Sequence, residues 1–202
     1  MIYPKVKIWL DTFFSILLLS ILSPLFLLIA LAIKLDSKGP VFFLQHRLGQ
    51  QGKSFTFIKF RSMCQNAEKG GVYEKKGDKR VTRVGRLLRK TSLDELPQLI
   101  NILRGEMSLI GPRPVLTYHP WPLNDYSTEQ KKRFNVKPGI TGWAQINGRK
   151  NLDWRKRIQY DIDYVAKLSF AMDVDILFQT IYKVCTMQDN INIQPTALKG
   201  SF

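Results

Sequence analysis

The sequence has very little cysteine and histidine, and these residues do not cluster. Only two of its 202 residues are cysteines, Cys64 and Cys185, and only two are histidines, His46 and His119. Two cysteines so far apart in the chain indicate no disulfide framework, which is typical of a reducing compartment. The histidines belong to no HExxH motif and to no Cys/His cluster, so the sequence shows no zinc site.

Acidic residues are also scarce, because 16 Asp and Glu stand against 31 Lys and Arg and leave a net charge of +15. A surface this basic attracts nucleic acid, anionic lipid or phosphorylated substrates. Neither a GxGxxG motif nor a Walker A loop occurs, which excludes the Rossmann and P-loop classes of nucleotide site. The hydrophobic fraction of 45% is sufficient for one folded domain with a membrane element.

One long apolar run, residues 13–33, carries no charge. As a straight helix it would be roughly 30 Å long, which is enough to cross a bilayer. Ser23 and Pro24 lie at its centre, where proline removes a helix hydrogen bond, and both flanks are basic. Basic flanks favour the cytoplasmic side, so we expect a helix–break–helix that enters and leaves by one face. An ordinary kinked transmembrane helix is the alternative.

The rest of the chain mixes strand and helix patterns. Residues 55–61 alternate and are aromatic, which predicts a strand, and residues 66–80 are polar and glycine-containing, which predicts a loop. Apolar residues at i, i+3, i+4 and i+7 predict an amphipathic helix over 96–103. The remaining predictions are turns around a short strand at 137–149, helices at 152–168 and 174–187, and a loose tail at 191–202. The fold class expected from these patterns is a helix-rich α+β fold.

Asp94 and Glu95 form the only pair of adjacent acidic residues in this basic chain. A carboxylate can act as a nucleophile toward phosphorus, with its neighbour as acid, base or orienting group, if Mg²⁺ and arginines neutralise the charge. Helix capping is the alternative for the same residues. The sequence from Ser92 to Glu95 matches a capping box, and Asp94 as the cap would place Pro97 in the first helical turn.

Several basic residues are candidates for binding phosphate. Arg113 lies between two prolines that fix the backbone, and its guanidinium can bind a phosphate through two hydrogen bonds. Each candidate has a solvated surface charge as its alternative, and Gly139, Gly142 and Gly148 could let backbone N–H groups approach an anion. The further basic candidates are Lys59, Arg61, Arg89 and Arg149.

Together these residues resemble the small monotopic phosphoglycosyl transferases, the bacterial sugar transferase family that starts lipid-linked glycan assembly. The resemblance covers roughly residues 8–185 as an ordered set of short segments. The matching segments are Ser23-Pro24, Gln45–Gly49, Lys59–Met63, Arg89–Leu99, Ser108–Pro114, Lys137–Arg149 and Leu168–Phe170 with Asp173 after them.

The resemblance implies three regions: a re-entrant membrane helix over 1–38 with its kink at Ser23 and Pro24, a cytoplasmic catalytic domain over 39–190 that rests on the bilayer through amphipathic helices, and a tail over 191–202. It also implies that the chain is the small form of the family, without the further helices and domain of larger relatives. The implied location is the cytoplasmic face of the bacterial inner membrane.

The chemistry implied by the resemblance is transfer of a sugar 1-phosphate from a UDP-sugar to polyprenyl (undecaprenyl) phosphate. Asp94 would be the nucleophile and a Mg²⁺ ligand, with Glu95 as the second catalytic carboxylate. Asp94 would carry a phosphosugar after UMP leaves, and Lys59, Arg89, Arg113 and Arg149 would bind substrate. Implied partners are these two substrates and membrane phospholipid but no nucleic acid, with a homodimer left open.

Two other functions compete with a transferase at this stage. A membrane-anchored basic module that binds anionic lipid or nucleic acid would explain the charge, and its binding would weaken steeply with salt. A Mg²⁺-dependent hydrolase of nucleotide diphosphates would use the same carboxylates with water as the acceptor.

Overall fold

A computed structural model describes residues 2–71, 77–148 and 152–186, and the statements below concern these residues. The architecture is α+β with helix in excess, as predicted. The helices are α1 (Tyr3–Asp36), α2 (Arg83–Thr91), α3 (Gln98–Leu103), α4 (Thr128–Lys131), α5 (Trp143–Ile146), α6 (Trp154–Lys167) and α7 (Phe170–Cys185); the strands are β1 (Phe42–Leu48), β2 (Ser54–Phe60), β3 (Ser108–Ile110), β4 (Val115–Leu116) and β5 (Gly139–Thr141).

Helix α1 has the surface of a membrane helix. It is the one helix of the described residues that is long and apolar enough to cross a bilayer, and only 11% of its most apolar stretch is buried in the protein. A core helix of a soluble domain would bury most of that surface. The large exposed apolar side chains of α1 include Ile8, Trp9, Phe13, Phe14, Ile16, Leu17, Ile21, Leu27, Leu28 and Leu31.

Pro24 lies inside α1, and the helix continues through it from Tyr3 to Asp36. Proline has no N–H for the carbonyl four residues earlier, which here belongs to Ser20. The Ser23 hydroxyl donates to that carbonyl at 2.9 Å and satisfies the freed acceptor. The structure thus has one continuous helix where the sequence predicted a helix–break–helix at Ser23 and Pro24. The re-entrant path of α1 through the membrane stays a prediction.

Polar contacts attach the first part of α1 to the rest of the protein. Tyr3, Lys7 and Asp11 are spaced by four residues and so lie on one face of the helix. The Tyr3 hydroxyl and the Lys7 Nζ are each 2.5 Å from Asp173 Oδ2 in α7. The Leu109 N–H donates to Asp11 Oδ1 at 3.1 Å. These contacts fix the orientation of the first part of α1 on the rest of the protein.

Arg61 is bound to the other end of α1. Its guanidinium donates to the Ser37 carbonyl at 2.7 Å and to the Lys38 carbonyl at 2.6 Å, and the residue is buried. A cation beside the last carbonyls of a helix is favourable because these carry the negative end of the helix dipole. Both terminal nitrogens of Arg61 are thus engaged at the end of α1, and the prediction that Arg61 binds substrate phosphate stays a prediction.

Two small sheets form the centre of the domain. Strand β1 pairs antiparallel with β2 on one side and with β4 on the other, while β3 and β5 pair in parallel. The strand predicted at 55–61 is confirmed as β2, where Phe57 and Phe60 are fully buried. The Asn101 side chain accepts from the Ile58 N–H at 3.1 Å and donates to the Thr56 carbonyl at 2.7 Å. Helix α3 is thereby fixed to the edge of β2.

The predicted helices occur with shifted boundaries. Helix α3 begins at Gln98 and buries Leu99 and Ile102, whereas Leu103 is 42% exposed. Helix α6 confirms the helix predicted from 152, and α7 begins at Phe170, four residues before its predicted start. Strand β5 confirms the short strand at 137–149, and the short helix α5 follows it. The predicted tail over 191–202 lies outside the described residues.

Candidate active site

Asp94 and Glu95 lie in a single 3-10 turn, Leu93–Glu95, between α2 and α3. Ser92 has a left-handed backbone with φ of 60° and ends α2, and Pro97 immediately precedes α3. No side chain caps either the turn or α3. The capping alternative for Ser92 and Asp94 is therefore wrong, because the helix begins too late for either side chain to reach its first N–H groups.

Glu95 is held by Arg113 through two hydrogen bonds. Arg113 Nη1 donates to Glu95 Oε2 at 2.9 Å, and Arg113 Nη2 donates to Glu95 Oε1. Burial alone would raise the pKa of Glu95, but the charge and hydrogen bonds of Arg113, with the charge of Lys59, outweigh it and lower the pKa to about 2. Glu95 is thus ionised at neutral pH, and both of its oxygens are engaged.

Asp94, directly before Glu95 in the chain, lies in a different environment. It is only 7% exposed, and no hydrogen bond among the described residues involves it. Burial and the neighbouring charge of Glu95 raise its pKa to about 6, against the positive charges of Lys59, Arg89 and Arg113. Asp94 therefore keeps both oxygens available to a ligand in surroundings that are strongly cationic.

Lys59 and Arg89 bring positive charge to Asp94 from two different elements. Lys59 projects from β2, and burial together with Arg89 and Arg47 lowers its pKa to about 8 against the pull of Asp94. Arg89 lies in the last turn of α2, where its Nε donates to the Ser62 Oγ at 2.8 Å. The structure thus brings together four predicted site residues besides Asp94, namely Lys59, Arg89, Glu95 and Arg113.

Arg47 is a site residue that sequence reasoning missed. Its Nη1 donates to the Pro114 carbonyl at 2.7 Å, and its guanidinium lies 4.3 Å from the centre of the Phe57 ring. Burial and the charge of Arg113 lower the pKa of Arg47, but an arginine stays protonated at neutral pH. No acidic residue lies close to Arg47 in the sequence. Only its place within the matching segment Gln45–Gly49 could therefore have indicated its role.

Two predicted anion-binding elements have other outcomes. Arg149 lies outside the described residues, so its predicted role in substrate binding stays a prediction. Gly139 and Gly142 allow close backbone packing: a Cβ on Gly139 would lie 2.1 Å from Gly111 N, and a Cβ on Gly142 would lie 2.1 Å from Gly111 O. These glycines let the segment after β3 lie directly against β5. Their approach to an anion stays a prediction.

The carboxylates are compatible with a bound Mg²⁺ ion that keeps most of its water. Among residues 2–71, 77–148 and 152–186, no group of three or more His, Cys, Asp or Glu forms an all-protein metal site. Mg²⁺ usually needs only one or two carboxylates and completes its shell with water and substrate phosphates. Asp94 fits this role because its oxygens have no hydrogen-bond partner, whereas both Glu95 oxygens are engaged by Arg113.

The family model for bacterial sugar transferases matches residues 2–187. The chain belongs to this family. Membership confirms the resemblance found in the sequence and the prediction that the chain is a transferase. The alternatives of a binding module and of a hydrolase are not supported by it.

Relatives that carry the names of sugar transferases match most of the chain. An uncharacterised sugar transferase, EpsL of Bacillus subtilis, is 46% identical over 171 residues, which are 84% of this chain and 82% of that protein. A UDP-glucose:undecaprenyl-phosphate glucose-1-phosphate transferase of Escherichia coli is 45% identical over 179 residues, 86% of this chain and 39% of that protein. A UDP-N-acetylgalactosamine-undecaprenyl-phosphate N-acetylgalactosaminephosphotransferase of Aeromonas hydrophila is 42% identical over 189 residues, which are 92% of this chain and 45% of that protein. The chain thus spans less than half the length of the last two.

Proposed function

We propose that this protein transfers a sugar 1-phosphate from a UDP-sugar to polyprenyl (undecaprenyl) phosphate at the cytoplasmic face of the inner membrane. The observation that carries the proposal is the unequal pair at 94–95. Arg113 engages Glu95 completely, and Asp94 is left as a buried carboxylate that faces three cations without a hydrogen bond of its own. A nucleoside diphosphate brings the negative charge that such a cluster of cations needs.

The reaction proceeds in two displacements at the phosphorus that bears the sugar. An Asp94 oxygen forms a bond to this phosphorus, the bond to the bridging oxygen of the diphosphate breaks, and UMP leaves with the electron pair. An oxygen of polyprenyl phosphate then attacks the same phosphorus, and Asp94 is released as a carboxylate. Mg²⁺, when bound, neutralises charge on the diphosphate.

The protein's own side chains have distinct parts in this chemistry. Arg113, Lys59 and Arg89 stabilise the phosphoryl oxygens as charge develops on them. Glu95 holds the Arg113 guanidinium in one orientation, and its low pKa keeps this ion pair intact at neutral pH. The membrane helix α1 keeps the site at the bilayer surface, where a soluble nucleotide sugar can meet a lipid acceptor.

The reaction is tested by UMP release from purified protein in detergent or nanodiscs. A panel of UDP-sugars is supplied with Mg²⁺, with and without undecaprenyl phosphate. We expect sustained UMP release with at least one UDP-sugar only when the lipid acceptor is present. Sustained release without acceptor would favour the hydrolase, and no release with any sugar would contradict the proposed function.

The membrane path of α1 gives a second prediction. A re-entrant helix places both its ends in the cytoplasm, so single cysteines at Ile2→Cys and Lys38→Cys should resist an impermeant thiol reagent added to intact cells. The background needs Cys64→Ser and Cys185→Ser, because both native thiols are exposed. Both positions should react after the cells are lysed. Labelling of Ile2→Cys in intact cells would contradict the re-entrant path and support a spanning helix.

The pKa values of Asp94 and Lys59 predict a narrow pH range for activity. Asp94 must be ionised to attack, so kcat/KM for UDP-sugar should fall at acid pH, with a midpoint at or below about 6 because a bound Mg²⁺ ion lowers the pKa of its ligand. Lys59 must be protonated to stabilise phosphate, so kcat/KM should also fall as the pH rises above about 8. Lys59→Arg, which titrates far higher, should remove the alkaline limb and leave the acid limb in place. An unchanged alkaline limb in this variant would contradict the assignment to Lys59.

A further inference from the structure

The backbone that presents Arg113 is held at three consecutive carbonyls. Residues 112–114 include two prolines, which cannot donate a backbone hydrogen bond. Their carbonyls accept, in chain order, from the Gly139 N–H at 2.9 Å, from Arg133 Nη2 at 2.9 Å and from Arg47 Nη1 at 2.7 Å. The middle bond is the one that holds the peptide of Arg113 itself.

Arg133 is fixed in turn by Asp161 of α6. Arg133 Nε and Nη2 lie 3.1 Å and 2.6 Å from Asp161 Oδ2, and the side chains are each only 1% exposed. The same Nη2 group therefore serves both Asp161 and the Arg113 carbonyl. Asp161 sets the direction of the guanidinium, and the guanidinium sets the position of the Arg113 backbone.

Stability alone does not account for a buried ion pair of this kind. Desolvation of the two charges offsets most of their attraction, and an apolar pair of similar volume is often as stable. The pair of Arg133 and Asp161 differs from an ordinary core pair because its third hydrogen bond reaches the residue that engages Glu95. This bond connects α6 with the candidate active site.

We propose that Arg133 and Asp161 are positioning residues that hold Arg113 in register with Glu95 and with the substrate diphosphate. This proposal rests on the transferase function proposed above. Without the hydrogen bond from Arg133, the 112–114 segment keeps two of its three carbonyl contacts, and Arg113 can move relative to Glu95. A displacement of about 1 Å at a group that orients a reaction can cost roughly 100-fold in rate.

The experiment uses the double variant Arg133→Met with Asp161→Leu in the full-length protein. Apolar replacement of both partners leaves no unpaired buried charge and so favours retention of the fold. Lys132→Met is the matched control, since it removes a neighbouring charge from a side chain that is 52% exposed. Each change is made alone and in combination with Arg113→Lys. The measurements are kcat/KM for UDP-sugar, the thermal transition, and amide exchange at Arg113 and Val115.

We expect the double variant to lose about 10- to 100-fold in kcat/KM beside a native Arg113 and less than about threefold beside Arg113→Lys. Its amides at Arg113 and Val115 should exchange faster than in Lys132→Met, while exchange in β2 stays unchanged. A structural role would instead give the same fold-loss in both backgrounds. Equal losses, no loss, or unchanged exchange at these two amides would each overturn the proposal.

Two further outcomes are separated by the design. If the double variant shows no cooperative thermal transition, Arg133→Lys replaces it in the same cycle. Lysine keeps a charge opposite Asp161 but loses the planar group that serves both acceptors, so unequal losses are again expected and equal losses overturn the proposal. If the native protein releases no UMP, the proposed function fails, and amide exchange still decides whether Arg133 and Asp161 hold the Arg113 backbone.

Discussion

Asp94→Asn is expected to abolish turnover while the protein stays folded. An amide cannot form the acyl phosphate and is a poor ligand for Mg²⁺, so UMP release should fall to the background of the assay. The fold should survive because Asp94 makes no hydrogen bond among the described residues and asparagine has nearly the same shape. The measurement is kcat for UMP release together with the thermal transition. Asp125→Asn, at an exposed position, is the matched control and should keep native activity.

The covalent step provides a second observable for the same residue. When UDP-sugar is supplied without the lipid acceptor, native protein should accumulate a phosphosugar on Asp94 that mass spectrometry locates after digestion. Two-substrate kinetics should give parallel double-reciprocal lines, because UMP leaves before the acceptor reacts. Full activity in Asp94→Asn, or an adduct on a different residue, would contradict Asp94 as the nucleophile.

Arg113→Lys is expected to impair the enzyme without removing positive charge from the site. Lysine has a single ammonium group and cannot make the two parallel hydrogen bonds that Arg113 makes to Glu95. A charged hydrogen bond contributes about 1.5–3 kcal/mol, so kcat/KM for UDP-sugar should fall about 10- to 150-fold. Arg104→Lys, on an exposed residue at the end of α3, is the control and should leave kcat/KM unchanged.

Glu95→Gln extends the test to the partner of Arg113. We expect it to lose at least as much activity as Arg113→Lys, because Arg113 then lacks the anion that orients it. The two changes combined should cost little more than the larger single loss, since residues that act as a unit are not additive. Simple addition of the two losses would mean that Arg113 and Glu95 act independently, and native kinetics in Arg113→Lys would make Arg113 an ordinary turn residue.

Local patterns in the sequence predicted most of the elements. The charge-free run at 13–33 predicted the long apolar helix α1, and the alternating aromatic residues at 55–61 predicted β2. Each depends on neighbours within a few residues, so the pattern is visible before the chain folds. Boundaries were less accurate, as at α3, where the predicted start at residue 96 moved to Gln98 because the 3-10 turn and Pro97 directly precede the helix.

The candidate site depended more strongly on tertiary structure. The pair Asp94-Glu95 stands out in a basic sequence, and so does an arginine between two prolines. Sequence left open whether the carboxylates cap a helix, and only the positions of α3 and Arg113 decided this. The different environments of two adjacent residues could not be predicted either, because they arise from an arginine 18 positions away for Glu95 and from a buried, cation-rich space for Asp94.

The sequence by itself determined that the chain carries one apolar helix long enough to cross a membrane, a basic α+β domain and one acidic pair. Only the tertiary structure showed which groups the arginines bind. Arg61 was a candidate ligand but is bound to the end of α1, whereas Arg47 and Arg133 were not recognised and hold the backbone on which Arg113 lies. The physical reason is that an arginine reaches its partners through a long side chain, and those partners are backbone carbonyls up to 67 residues away. Every residue has a backbone carbonyl, whatever its side chain. No sequence pattern therefore distinguishes an arginine that binds a carbonyl from an arginine that binds substrate.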